Sequence, residues 1–83
     1  MADFSAEKVY RNIKRAAKQK GIRLKDLETS VGTYAGYCTA NENRVAKKDY
    51  RTGTGRNNIN MEMIWRFSQA LGVTINDLIE GDF

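Results

Sequence analysis

The chain contains no histidine and no proline, a single cysteine, and no long apolar run, and each shortage removes a class of protein. One thiol cannot build an intrachain disulfide framework. With no imidazole beside it, it does not make an ordinary zinc site either, so no metal ligand is expected. Cys38 lacks a histidine base and is expected on the buried side of its helix. No pair of carboxylates has the spacing of a catalytic site, so the chain is not expected to be an enzyme, to hold a cofactor or to take a small-molecule substrate. Nothing approaches the roughly 18 consecutive apolar residues of a membrane span. The opening MADFSAEKVY puts acidic and polar residues where a signal peptide needs an apolar centre. A cytoplasmic setting without a membrane partner is therefore expected.

What the chain does have is helical periodicity. Its 83 residues suffice for one small domain, 1–83, which hides only about 60% of its extended surface. Asp3 or Ser5 can cap a first helix that runs to Lys20, with Val9, Ile13, Ala16 and Ala17 on its apolar face, and Gly21 stops it. Leu24, Leu27 and Val31 recur at i, i+3, i+7 and predict a second helix over Leu24 to Val31, ended by Gly32. A third is expected from Tyr34 to Arg44. Two short helices joined by a glycine-containing turn make up a helix-turn-helix, in which one helix braces the other against a DNA groove.

The stretch VAKKDYRTGTGRNN, Val45 to Asn58, keeps no apolar period and is read as a long loop, one that could take in the end of the third helix or a hairpin. Its GTG lacks the following lysine-serine or lysine-threonine and the preceding strand of a phosphate-binding loop. Asn60 can cap a fourth helix in which Met61, Ile64, Phe67, Ser68 and Leu71 share a face, and Gly72 closes it. Thr74 and Asp77 have the spacing of a capping box for a last short helix, with Ile75, Leu78 and Ile79 inward. The expectation is an all-α domain of five short helices with a long loop between the third and the fourth.

Charge is distributed unevenly. Met1 to Leu24 carries seven basic residues against two acidic, Lys25 to Asn58 six against four, and the remainder from Ile59 only Arg66 against four carboxylates. One face turned to a polyanion and an acidic side turned away would account for this, and so would a solvated surface with ordinary scatter. Lys18 and Lys20, in the last turn of the first helix, also suit the negative end of its dipole.

With these elements placed, the chain resembles the Xre-type helix-turn-helix family of phage repressors and Cro proteins. NIKRAAKQKG (Asn12 to Gly21) looks like the family's first helix. INMEMIWRFSQALGVTINDLI (Ile59 to Ile79) is similar to its fourth and fifth helices, commonly SLETLLKIAKALGVSLDELL, and GYCTANEN (Gly36 to Asn43) sits where many members have GYLSRIEN. Three positions depart from the pattern. Glu28 stands where the family has a small alanine that lets helices two and three pack closely. Arg23 and Leu24 replace the polar pair that opens helix two. Asn41 occupies the place of a branched apolar residue, and a buried asparagine without partners costs roughly 1–3 kcal/mol, so a hydrogen bond or a shifted helix is expected there.

The resemblance implies a compact repressor-like fold and a transcriptional regulator that binds double-stranded DNA. The third helix would lie in the major groove, with Thr33, Tyr34, Ala35, Gly36, Thr39, Ala40 and Asn43 facing bases. Few of these are the forked side chains that read purine edges, so discrimination would be modest or lean on DNA shape. Phosphates would fall to Arg23, Lys25, Tyr37, Arg44, Lys47, Lys48, Arg51 and Arg56. Of Tyr34 and Tyr37, the latter is the one expected to pack inward instead. The basic loop is either a mobile arm on the DNA backbone or a solvated loop. A homodimer through the C-terminal helices, with Trp65, Ile75, Ile79 and Phe83 as candidate interface, also follows from the resemblance, though the same residues could finish a monomer's core. The other class of function is a protein-interaction module, of antitoxin or antirepressor type, that keeps this fold with weak DNA readout.

Overall fold

Five helices carry the chain in a computed structural model that describes residues 5–47 and 60–83. Ser5 opens α1 (Ala6–Gln19), its hydroxyl accepting from the Lys8 N–H. The helix ends where Gly21 turns to φ +69 and the Ile22 N–H closes on the Ala17 carbonyl at 2.9 Å. α2 (Leu24–Ser30) follows after four residues, then α3 (Tyr37–Lys47), α4 (Met61–Leu71) and α5 (Ile75–Glu80). No strand occurs among the described residues, and none of their helices is long and apolar enough to cross a membrane.

The caps of the last two helices are those the residues dictate. The Asn60 side chain accepts from the Glu62 N–H, Gly72 adopts φ +70 beyond Leu71, and Thr74 and Asp77 form a reciprocal capping box. Each satisfies backbone groups that a helix end would otherwise leave without partners.

The core is organised on α1. Val9, Ile13, Ala16 and Ala17 are buried as their spacing requires, and Tyr10 joins them. Ala6 at the start of α1, Leu27 from α2, Val31 just past its end, Cys38 from α3, Ile64, Phe67 and Leu71 from α4, and Leu78 from α5 complete one cluster. Burial of each larger member contributes about 1.5–3 kcal/mol. α1 packs most extensively against α3 and α5.

Two polar devices tie those contacts down. Asn12, buried on α1, donates its amide N–H groups to the carbonyls of Leu78 and Gly81, both at 2.9 Å, and so caps the C-terminal end of α5. On the other flank of α1, Lys14 reaches Glu42 of α3 at 2.8 Å, with Arg11 3.8 Å from the same carboxylate.

Two expected boundaries are corrected. The third helix begins at Tyr37, three residues later than Tyr34, because Gly36 sits at φ +92 and a right-handed helix cannot pass through that conformation. It also extends beyond Arg44 to Lys47, so the end of the third helix falls inside the stretch read as a loop, one of the two contents left open for it. The rest of that loop, residues 48–59, lies outside the described residues.

Candidate functional site

The turn between α2 and α3 is built around Glu28. This residue is buried, with 1% exposure, on the inner side of α2. Its carbonyl accepts from the Thr33 N–H at 3.0 Å and from the Thr33 hydroxyl at 2.6 Å, which closes the end of α2. Its carboxylate reaches across to α3, Oε1 accepting from the Gly36 N–H at 2.9 Å and Oε2 from the Cys38 N–H at 2.6 Å. A carboxylate placed there meets both free N–H donors and the positive end of the helix dipole. Glu28 is thus the N-terminal cap of α3, supplied from the neighbouring helix, and what looks in sequence like an obstacle to close packing joins the two helices.

α4 secures the same turn from behind. Arg66 donates Nη1 to the Val31 carbonyl at 3.0 Å and Nη2 to Glu62 at 2.7 Å. Gly32 holds φ +94, a backbone conformation that side-chain-bearing residues rarely adopt, and a Cβ there would stand 3.0 Å from that guanidinium.

α3 then divides cleanly between two sides. Cys38 and Asn41 are buried, and the Glu42 side chain is largely covered. Thr39, Ala40, Asn43 and Arg44 are exposed and recur at the one- and three-to-four-residue intervals of a single helical face. Asn41 has the partners its burial demands: its amide donates to the Tyr37 carbonyl at 2.8 Å, and its Oδ1 accepts from Arg44 Nη2 at 2.8 Å. That second bond also holds the Arg44 guanidinium beside the exposed face.

Of the expected base-facing residues, Thr39, Ala40 and Asn43 lie on this face, while Thr33, Tyr34, Ala35 and Gly36 precede the helix in the turn. Thr33 is half-buried, with its hydroxyl proton committed to Glu28. Tyr34 is 58% exposed and meets Tyr37 edge-on at 5.6 Å. Tyr37, among the phosphate candidates, is half-buried and packs inward: it stacks on Phe67 at 6.2 Å and meets Tyr10 edge-on at 6.1 Å.

Of the cationic candidates, Arg23 and Lys25 are exposed at the start of α2. Lys25 lies one turn before Glu28, which places it on the flank of α2 that adjoins α3. Lys48, Arg51 and Arg56 lie outside the described residues, as does the side chain of Lys47. The cations of α1 split by position. Lys8, Arg11 and Lys14 pair with Asp82, Glu7 and Glu42. Arg15, Lys18 and Lys20, like Arg23 and Lys25, are exposed and make no ion pair among the described residues.

Electrostatics removes the one thiol from reactive chemistry. Burial, and then the neighbouring charge of Glu28, push the Cys38 thiol well above its ordinary range. The thiol is therefore held protonated, and the thiolate is the reactive form. Burial, with Tyr37 beside it, pushes the Tyr10 hydroxyl up in the same way.

Glu28, Asn12 and Arg66 are the residues whose roles the sequence reading does not anticipate. The available signal at Glu28 is chemical: a carboxylate flanked on its helix face by Leu24, Leu27 and Val31 must find donors when that face is buried. No family model, curated protein or solved structure matches the chain.

Proposed function

We propose that this chain is a cytoplasmic transcriptional regulator with a repressor-like helix-turn-helix fold, binding double-stranded DNA with α3 in the major groove. The observation that supports this reading is the arrangement around Glu28. One buried carboxylate fixes both the turn and the first N–H groups of α3, and leaves outward a helix face made of Thr39, Ala40, Asn43 and Arg44. A helix held in this way, its outer face exposed among the described residues and preceded by Arg23 and Lys25, which make no ion pair there, suits a groove whose walls are phosphates.

In this reading Arg23, Lys25 and Arg44 contact the DNA backbone and supply affinity. Thr39 and Asn43 offer hydrogen bonds, and Ala35 and Ala40 offer methyl groups to thymine. The small side chains of the set imply modest base discrimination, with DNA shape carrying part of it.

A polarisation titration with duplex DNA flanking the protein's own gene, at two salt concentrations, tests the proposal. Binding should weaken with salt, and replacing Arg23, Lys25 and Arg44 together by alanine should flatten the slope of log K against log salt by about 3, close to 0.9 per released phosphate contact. Absence of salt-dependent binding to any duplex would favour the second reading, an antitoxin- or antirepressor-like interaction module. The exposed apolar pair Met61 and Trp65 is the observation on its side.

A further inference from the structure

Asn41 is a polar residue buried in the middle of α3, and its two hydrogen bonds do different things. The amide donates to the Tyr37 carbonyl at 2.8 Å, the same carbonyl that an α-helix pairs with the Asn41 N–H in any case. The fold gains little from that bond. The other one points outward, Oδ1 accepting from Arg44 Nη2 at 2.8 Å. It draws the guanidinium back over the turn before its own Cα, beside the short side chain of Ala40. Tyr10, whose hydroxyl burial pushes up, feels the Arg44 charge in the opposite direction, so the guanidinium also lies within electrostatic reach of α1.

The partner that orients Arg44 is neutral. Arg44 is exposed and makes no ion pair among the described residues, so its charge is placed without being cancelled. The guanidinium is a rigid fork of N–H donors. Asn41 engages one of them, and the others suffice for a bidentate contact with an anion's oxygens.

We infer that Asn41 is a positioning residue for DNA binding, which holds Arg44 in advance in the pose that clamps one backbone phosphate. The inference rests on the DNA-binding reading and deepens it. A flexible arginine loses rotamer freedom when it clamps a phosphate, whereas one already ordered by folding loses less, so the contact is stronger for the same charge. A fixed guanidinium also meets the phosphates at one height along α3. That sets the register of the helix in its groove.

N41L separates this role from a structural one. Leucine is apolar at a buried site and leaves the Tyr37 carbonyl its helical partner, so the thermal midpoint should equal or exceed that of the parent. Polarisation titrations with the same duplex at two salt concentrations then compare the parent, N41L, R44A and the double variant. N41L should bind about three- to tenfold more weakly, with the parent's slope of log K against log salt because the charge is kept. R44A should lose affinity together with about 0.9 of that slope, and adding N41L to R44A should have no further effect. In the free protein, NMR relaxation at the arginine Nε–H groups should show Arg44 restrained while Arg15 and Arg23 move freely, and N41L should release it.

Parent-like affinity of N41L, or an equal loss from N41L with and without Arg44, would overturn the inference and leave DNA binding standing. So would an Arg44 as mobile in the parent as Arg15 and Arg23, an observation that holds whether or not N41L folds. A parent that binds no duplex at either salt concentration removes the DNA-binding reading, and this inference with it.

Discussion

Replacing Glu28 is the sharpest perturbation of the site. In E28A the Gly36 and Cys38 N–H groups lose their acceptor, and the buried space left by the side chain is not refilled. A hydrogen bond to a charged group is worth about 1.5–3 kcal/mol net. Two such bonds come to about 3–6 kcal/mol, a net figure that already includes desolvating the carboxylate, and its lower end sets the expected loss at about 3 kcal/mol. For a domain of this size, total stability is of the order of 4–12 kcal/mol, so that loss is a large share of it. One kcal/mol shifts the midpoint about 4–8 °C, so thermal unfolding followed by circular dichroism should move down by roughly 12–24 °C. E28Q preserves shape but turns an NH2 towards an N–H, and should lose most of the same amount. Amide hydrogen exchange localises the effect: Gly36 and Cys38 should lose protection in E28Q well before the core amides of α1 do. A midpoint within about 3 °C of the parent for E28A, or unchanged protection at Gly36 and Cys38, would refute the capping role.

Other outcomes follow from the same contacts. N12D puts acceptors against the Leu78 and Gly81 carbonyls and should cost more than N12A, itself about 2 kcal/mol by denaturant titration. G36A meets no atom within 4 Å, so its cost comes from backbone conformation alone at φ +92 and should be about 1–2 kcal/mol in the same assay. Because Cys38 and Tyr10 keep their protons in the folded state to higher pH than in the unfolded chain, the folded state binds more protons above roughly pH 8.5, and stability should fall as pH rises from there. C38A should make that decline shallower. Thiol reagents should label native Cys38 only at the rate at which the chain opens.

Where information is local, it was legible. Ser5, Asn60 and the Thr74–Asp77 pair are caps by residue type and spacing. Gly72 ends α4 as a left-handed residue should, and the apolar faces of α1, α4 and α5 pack on the core as their periods require, except that Met61, expected on the α4 face, stands in its first turn 60% exposed. The expectation that Asn41 would find hydrogen bonds holds, since both of its partners are within one helical turn. What stayed hidden depends on residues distant in the chain. Asn12 acts on carbonyls 66 and 69 positions away, and Arg66 acts on one 35 positions away. Glu28 serves amides 8 and 10 positions ahead, across a turn. The displaced start of α3 follows from the last of these: with Glu28 capping from outside, Tyr34 to Gly36 need not be helical, and Gly36 is free to turn.

The most direct test of the account maps the surface that meets DNA. In a titration of isotope-labelled protein with duplex DNA followed by amide chemical shifts, the amides of Lys25, Tyr34 to Gly36, Thr39, Ala40, Asn43 and Arg44 should move together and saturate together. Those of Asp77, Glu80 and Asp82 should stay in place. Shifts confined to α4 and α5, or none at all at concentrations where the protein remains folded, would contradict it.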